Sequence, residues 1–345
     1  MQCIINDIEI RGIMTCLPED VKEMTDYVSV YGEKEVADTI ASSGIERIHV
    51  AKQNETTSDL CFKAATALID KEGIDKSTID GIVFVSLTPD YAFPATSVVI
   101  QGRLGLSKDI VAFDTVYGCS GYIYGLLQAA SLISSGVCKN VLLLAGDTHS
   151  KLLDQTRKSM AMIFGDAASA TIISKGKSSL GFDLHTDGYA YETVINKNYG
   201  FRMWPYNLAK DFNDQEMKDD DVFSIIVSQG PRTIKSVLEL MGWDKDDVDF
   251  YGLHQATKIT IDFMRKKLKL AYPERAPFDI ENYGNTGPTT VPLVLTDFPH
   301  RNNGVDSSKW HKVVLAAYGV GMSWGSVACD LSKTHLYKPI NQYNC

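Results

Sequence analysis

Short, continuously apolar runs recur along the chain, each followed by a longer stretch with helical periodicity. "GIVFVSLT" (81–88), "IVAFDTV" (110–116), "NVLLLAGDT" (140–148) and "ASATIIS" (168–174) predict strands. "ATSVVIQGRLGL" (95–106) and "SGYIYGLLQAASLISSG" (120–136) predict helices. A strand apolar at every position, rather than at alternate ones, has both faces covered. Alternation of such strands with helices makes this an α/β protein.

The later part of the chain repeats this order softly. "VDFYGLHQ" (248–255) predicts a strand running into a loop, "HQATKITIDFMRKKLKL" a helix, and "KVVLAAYGVGMSWGSVACDL" (312–331) two strands around a glycine turn. The echo is one of element order, not residue identity. It divides the chain into halves, 1–175 and 176–345, joined at the polar stretch "SKGKSSLG" (174–181). The segment 196–221 lacks periodicity and reads as a surface excursion.

Composition narrows the classes. The 345 residues are 44% hydrophobic and 22% charged, with net charge −9. An acidic chain repels nucleic acid and anionic membranes, so neither is an expected partner. A local basic patch could still dock an acidic protein. No basic, then apolar, leader opens the sequence, and the longest apolar runs are too short to cross a bilayer. Seven scattered cysteines without a C-x-x-C argue against a disulfide framework or a zinc site, and for a cytoplasmic location.

One thiol stands out. Cys119 lies between Gly118 and Gly121 ahead of the apolar helix. A helix N-terminus carries partial positive charge, which favours a thiolate. Small neighbours admit a substrate, and the residue's own N–H can face an oxyanion. The segment alone equally fits a small apolar side chain filling a helix–strand contact. His254 follows an apolar strand, where open α/β sheets place working residues, although a structural histidine also fits. Asn285, in "NYGNTGPTT", occupies a run of turn formers. Cys, His and Asn in this order make a nucleophile, base and orienter set. Gly319 and Gly321 suit a sharp turn whose N–H groups could meet a reacting oxygen, or a plain hairpin. Asp166 in "IFGDAASATII" reads as a turn organiser.

In their order and spacing, "SGIERIHVAKQNETTSDL", "AFPATSVVIQGRLG", "CSGYIYGLLQA", "IFGDAASA", "HQA", "YGNTG" and "GVGMSWGS" resemble the β-ketoacyl-acyl-carrier-protein synthase III family of the thiolase superfamily. The resemblance covers nearly the whole chain. It implies a thiolase-like five-layered αβαβα fold built from two similar halves, a homodimer, and a triad of Cys119, His254 and Asn285. The cysteine would take an acyl group from acyl-CoA or acyl-ACP. Malonyl-ACP would then lose carbon dioxide, and its enolate would attack the acyl-enzyme in a Claisen condensation. No bound cofactor or metal is implied. His254 and Asn285 would donate to the enolate oxygen, and the N–H groups of Cys119 and the Gly319–Gly321 turn would hold the other oxyanion. Phe93 matches an aromatic residue that closes the acyl pocket of the other subunit, and also fits a core position. Arg265, Lys266 and Lys267 match a docking site for acidic acyl carrier protein. Arg157 matches an arginine near the coenzyme A nucleotide.

Two departures from the family are visible. A tryptophan and an arginine that often sandwich adenine are replaced by Asp38 and Ser42. "MKDDDVF" (217–223) puts acid where the family often has glycine and asparagine near the tunnel mouth. Both put a primary fatty-acid role and a CoA donor in question. Two other outcomes stay open: acyl transfer to a hydroxyl or amine without decarboxylation, and a non-catalytic partner subunit. A hydroxymethylglutaryl-CoA-synthase-like activity lacks its glutamate base near "VSLTPDYAFP".

Overall fold

A computed structural model describes residues 1–153, 157–197, 202, 215–302 and 304–341. Its principal strands are β1 (Gln2–Leu17), β2 (Gly81–Val85), β3 (Val111–Thr115), β4 (Asn140–Asp147), β5 (Ala167–Thr186), β6 (Phe250–Leu253), β7 (Val313–Gly319) and β8 (Ser323–Cys329). The principal helices are α1 (Thr57–Glu72), α2 (Thr96–Leu104), α3 (Gly121–Ser134), α4 (Asp219–Met241), α5 (Lys258–Leu268) and α6 (Thr290–Arg301). The strands form a mixed sheet in the order β6-β7-β8-β5-β4-β2-β3. Strands β2, β3 and β4 are mutually parallel, while β4 and β8 run antiparallel to β5. β4 pairs with Ala167–Ser174, β8 with Gly181–Thr186, and β1 runs antiparallel along nearly all of β5. The expected join at 174–181 therefore lies inside one strand, at its solvent-exposed middle.

Because side chains alternate across a strand, each apolar strand feeds two cores. Val83, Val85 and Leu143, with Phe250, Leu315 and Val327, pack on α3 (Ile123, Leu126) and α6 (Val291, Val294). Their neighbours Ile82, Phe84, Leu142 and Leu144 pack on α1 (Leu60, Ala64, Leu68) and α2 (Ile100, Leu104). Tyr251, Leu253, Val314 and Ala316 pack on α4 (Ile234, Val237) and α5 (Ile261, Met264). Helices thus lie outside, between and outside two sheet regions, giving the five-layered α/β arrangement. α3 sits close to the sheet because it presents glycine there. A Cβ on Gly121 would come 2.5 Å from Val85, and one on Gly125 2.6 Å from Leu143.

The predicted elements appear with ends shifted by a few residues. β1, α1, α4 and α6 lie outside the elements the hydrophobic pattern predicts. In the expected excursion, Val194–Asn196 pairs with Gln215–Met217, and Asp219–Asp221 instead open α4, where acid suits the helix dipole. Residues 198–201 and 203–214 of that segment lie outside the described residues. No helix among the described residues is long and apolar enough to cross a membrane.

Candidate active site

Cys119, His254 and Asn285, far apart in sequence, line one cavity of about 430 Å³. Cys119 precedes Ser120, the residue capping the start of α3. The Ser120 hydroxyl meets that of Ser323 at 2.6 Å, tying the turn of Cys119 to β8. Gly319 ends β7 against this turn, and a Cβ there would lie 2.8 Å from the Cys119 Cβ and 3.0 Å from its nitrogen. Only glycine lets the two meet.

His254 leaves the end of β6, its N–H donating to Ala316 O at 2.7 Å. Its Nδ1 lies 2.6 Å from Thr290 Oγ1, so Nε2 is the nitrogen left for substrate. The Thr290 hydroxyl also reaches Gly287 O at 3.2 Å. The ring edge of Tyr318 packs on the imidazole with centroids 5.6 Å apart. Asn285 is fixed by its N–H to Ile163 O (2.8 Å) and by its carbonyl, which accepts from Gly165 N (3.1 Å). Its Oδ1 accepts from Gly287 N at 3.1 Å, which turns the amide NH₂ to the other side as a donor.

Burial dominates the electrostatics. The Cys119 thiol is pushed up to about 12, by desolvation first and then by the nearby Asp147 carboxylate. This corrects the expectation of a ready thiolate. Cys119 stands ahead of the helix cap rather than in its first turn, and loss of hydration disfavours the charged thiolate. Desolvation lowers His254 to about 3, so its imidazole is neutral at ordinary pH. Desolvation also raises Asp147, to about 7. The Asp166 side chain ties two other loops rather than its own turn, accepting from Ala51 N and Ser150 N at 2.8 Å each.

The other candidates divide. Gly319 lines the cavity beside Val320 and Met322; Gly321 sits in the turn at φ 133°, outside the lining. Phe93 is 81% exposed in the single chain and does not line the cavity. Arg157 is not among the lining residues, but its Nη1 donates at 3.0 Å to the carbonyl of Gln215, which is. Arg265, Lys266 and Lys267 occupy the last turn of α5, whereas Thr257 and Thr260, at its start, line the cavity. Arg265 is engaged by Asp262 (2.9 Å) and Ala276 O (2.8 Å). Ser42 lines the cavity, as do Met217, Asp219, Val222 and Phe223; of the acidic stretch only Asp219 is among the lining residues, with Asp220 and Asp221 outside it. Lys158 also lines it, paired with Glu35. Among the described residues no cluster of three His, Cys, Asp or Glu side chains could hold a metal ion. Sequence reasoning missed Thr290, Tyr318 and His149.

Residues 113–188 match the family described as 3-oxoacyl-[acyl-carrier-protein (ACP)] synthase III, and residues 238–331 match its C-terminal counterpart. A β-ketoacyl-[acyl-carrier-protein] synthase III from Streptococcus agalactiae is 32% identical over 294 residues, covering 83% of this chain and 87% of that protein. One from Campylobacter curvus is 33% identical over 304 residues, covering 87% of this chain and 90% of the other. The crystal structure of a 3-oxoacyl-(acyl-carrier protein) synthase from Burkholderia xenovorans superposes with a TM-score of 0.92 at 30% identity, covering 99% of both chains. By sequence across most of its length and by fold across nearly all of it, the chain belongs to the 3-oxoacyl-[acyl-carrier-protein] synthase III family.

Proposed function

We propose that this chain is a decarboxylative condensing enzyme in which Cys119 carries the acyl group and His254 and Asn285 serve the enolate. The observation that supports this most is the convergence of a thiol, a neutral imidazole and a fixed carboxamide on one cavity. In the first step the Cys119 sulfur attacks an acyl thioester, from acyl-CoA or acyl-ACP. The S–C bond forms as the thiol proton passes to His254 Nε2. The proton then goes to the departing thiolate. With the thiol held near 12 and the imidazole near 3, transfer accompanies attack rather than preceding it. In the second step malonyl-ACP loses carbon dioxide. The electron pair of the broken C–C bond becomes an enolate, whose oxygen is met by His254 Nε2–H and the Asn285 amide. The enolate carbon bonds to the acyl carbon, and the Cys119 thiolate leaves and is reprotonated.

The Thr290 hydroxyl suits both steps. It can accept from Nδ1–H, leaving Nε2 a base, or donate to Nδ1, leaving Nε2–H a donor. The N–H groups of Cys119 and Gly319 are the donors for the acyl oxyanion; Gly321 shapes the turn. Lys266 and Lys267 would receive the acidic carrier protein, with Arg265 bracing their helix, and Arg157 would border the donor's entry. The edge strand β3, with exposed Val98, Val116 and Phe93 nearby, is the face we assign to a homodimer, in which Phe93 would reach the other subunit's pocket. We also read the chain as two halves meeting at 175/176, working in the cytoplasm.

Intact-mass measurement after incubation with acyl thioesters tests this reading, together with carbon dioxide release from malonyl-ACP. The expected result is an acyl adduct on Cys119, no adduct on Cys119→Ala, and release coupled to product. An unmodified Cys119, or a Cys119→Ala variant equally active, overturns it.

A further inference from the structure

Beside the cavity lies a polar pair that the condensation does not use, and one member of it, His149, lines the cavity. Asp147, at the end of β4, accepts through Oδ1 from Ser86 Oγ (2.8 Å), Leu87 N (2.7 Å) and Thr88 Oγ1 (3.2 Å). Its Oδ2 lies 3.4 Å from His149 Nδ1, and neither atom has a hydrogen-bond partner among the described residues. Both side chains are enclosed, at 0% and 2% exposure. The His149 ring stacks on Phe164 at 4.8 Å and abuts Gly287, where a Cβ would come 3.2 Å from Nδ1. It is thus clamped beside the loop that carries Asn285, and it lines the same cavity as Cys119. With Nδ1 enclosed beside Asp147 and Gly287, Nε2 is the nitrogen left for a ligand.

We infer that His149, clamped by Phe164 and Gly287 beside Asp147, is a specificity-determining residue, and that the acyl group it selects carries a hydroxyl. The inference rests on the acyl-enzyme reading above. Much of the cavity lining is apolar, with Ile163, Phe164, Val194, Met217 and Met322. An alkyl chain seated there would dehydrate the imidazole and give it nothing in return. A carboxylate would meet the negative potential of Asp147. A keto oxygen accepts only, and so satisfies one tautomer. A hydroxyl donates and accepts, so it pairs with Nε2 whichever nitrogen holds the proton. A site that hydrogen-bonds a substrate hydroxyl discriminates against the analogue lacking it more strongly than a site that counts methylenes.

The test is a competition read by intact mass. The enzyme is offered equimolar butanoyl, racemic 3-hydroxybutanoyl and 4-hydroxybutanoyl thioesters of one carrier, and the Cys119 adducts are compared. At least one hydroxyacyl adduct should exceed the butanoyl adduct about tenfold. His149→Leu should bring that ratio to about one, and His149→Gln, which keeps a polar tip, should retain part of it. Equal hydroxyacyl and butanoyl adducts in the native protein overturn the inference while leaving Cys119 as the nucleophile. So does a preference that survives His149→Leu. Should His149→Leu not fold, the native and His149→Gln ratios still decide. Acylation by none of the three donors overturns the acyl-enzyme reading and this inference with it.

Discussion

Cys119 and Asn285 each stand shortly before a helix of the middle layer, Cys119 ahead of α3 and Asn285 ahead of α6. The topological positions correspond, but the surroundings do not. Near Cys119 lie groups whose charge can change: the thiol itself, Asp147 and His149. Asn285 is held by backbone groups alone, and its companion His254 is bound by a threonine hydroxyl and kept neutral by burial. In the proposed reaction the first side holds the bond that forms and breaks. The second takes up the thiol proton through His254 and then meets the enolate's negative charge with neutral donors. A carboxylate in place of Asn285 would repel both the malonyl carboxylate and the enolate.

This contrast is open to attack at several points. Alkylation of Cys119 by iodoacetamide should climb about tenfold per pH unit between roughly pH 7 and 10, as only the thiolate reacts. A thiol held near 12 ionises further as pH rises and reaches no plateau in that range. A plateau near neutral pH would place a thiolate–imidazolium pair at the site. Asn285→Asp should cut condensation by about 10²–10³-fold and acylation far less. Equal losses in mass-adduct and carbon dioxide assays would remove the division of labour. Gly319→Ala strikes where the two sides touch. Overpacking against Cys119 should cost about 1–3 kcal/mol of stability, read by thermal melting, and slow acylation first. Thr290→Val frees His254 Nδ1 and should slow turnover about tenfold, with Thr290→Ser restoring most of it. An unchanged rate would make the hydroxyl a packing group.

The loops bearing Cys119 and His254 were legible because their residue types sit at the ends of plainly apolar strands. The alternation of strand and helix carried the fold class for the same reason. What escaped was set by contacts across the chain. β1 begins with mixed polar residues and is a strand because β5 pairs with it along its length. α4 contains Gly230 and Pro231, which propensity counts against a helix, yet its apolar face is buried on β7 and β8. The Cys119 thiol was misjudged because a dipole is visible in sequence and desolvation is not. His149 did leave a signal. It follows the apolar run "LLLAGDT" much as His254 follows "FYGL", and only the turn-like composition around it concealed the parallel.

β5 belongs to both sheet regions, and β1 is laced to it from Gln2 to Cys16. A girder shared in this way leaves no joint at which the two sides could swing apart. The cavity must therefore be filled without opening like a jaw. Asp219 and Phe223 line the cavity from α4, so room for a ligand has to come from side chains and loops around it, with the frame standing still.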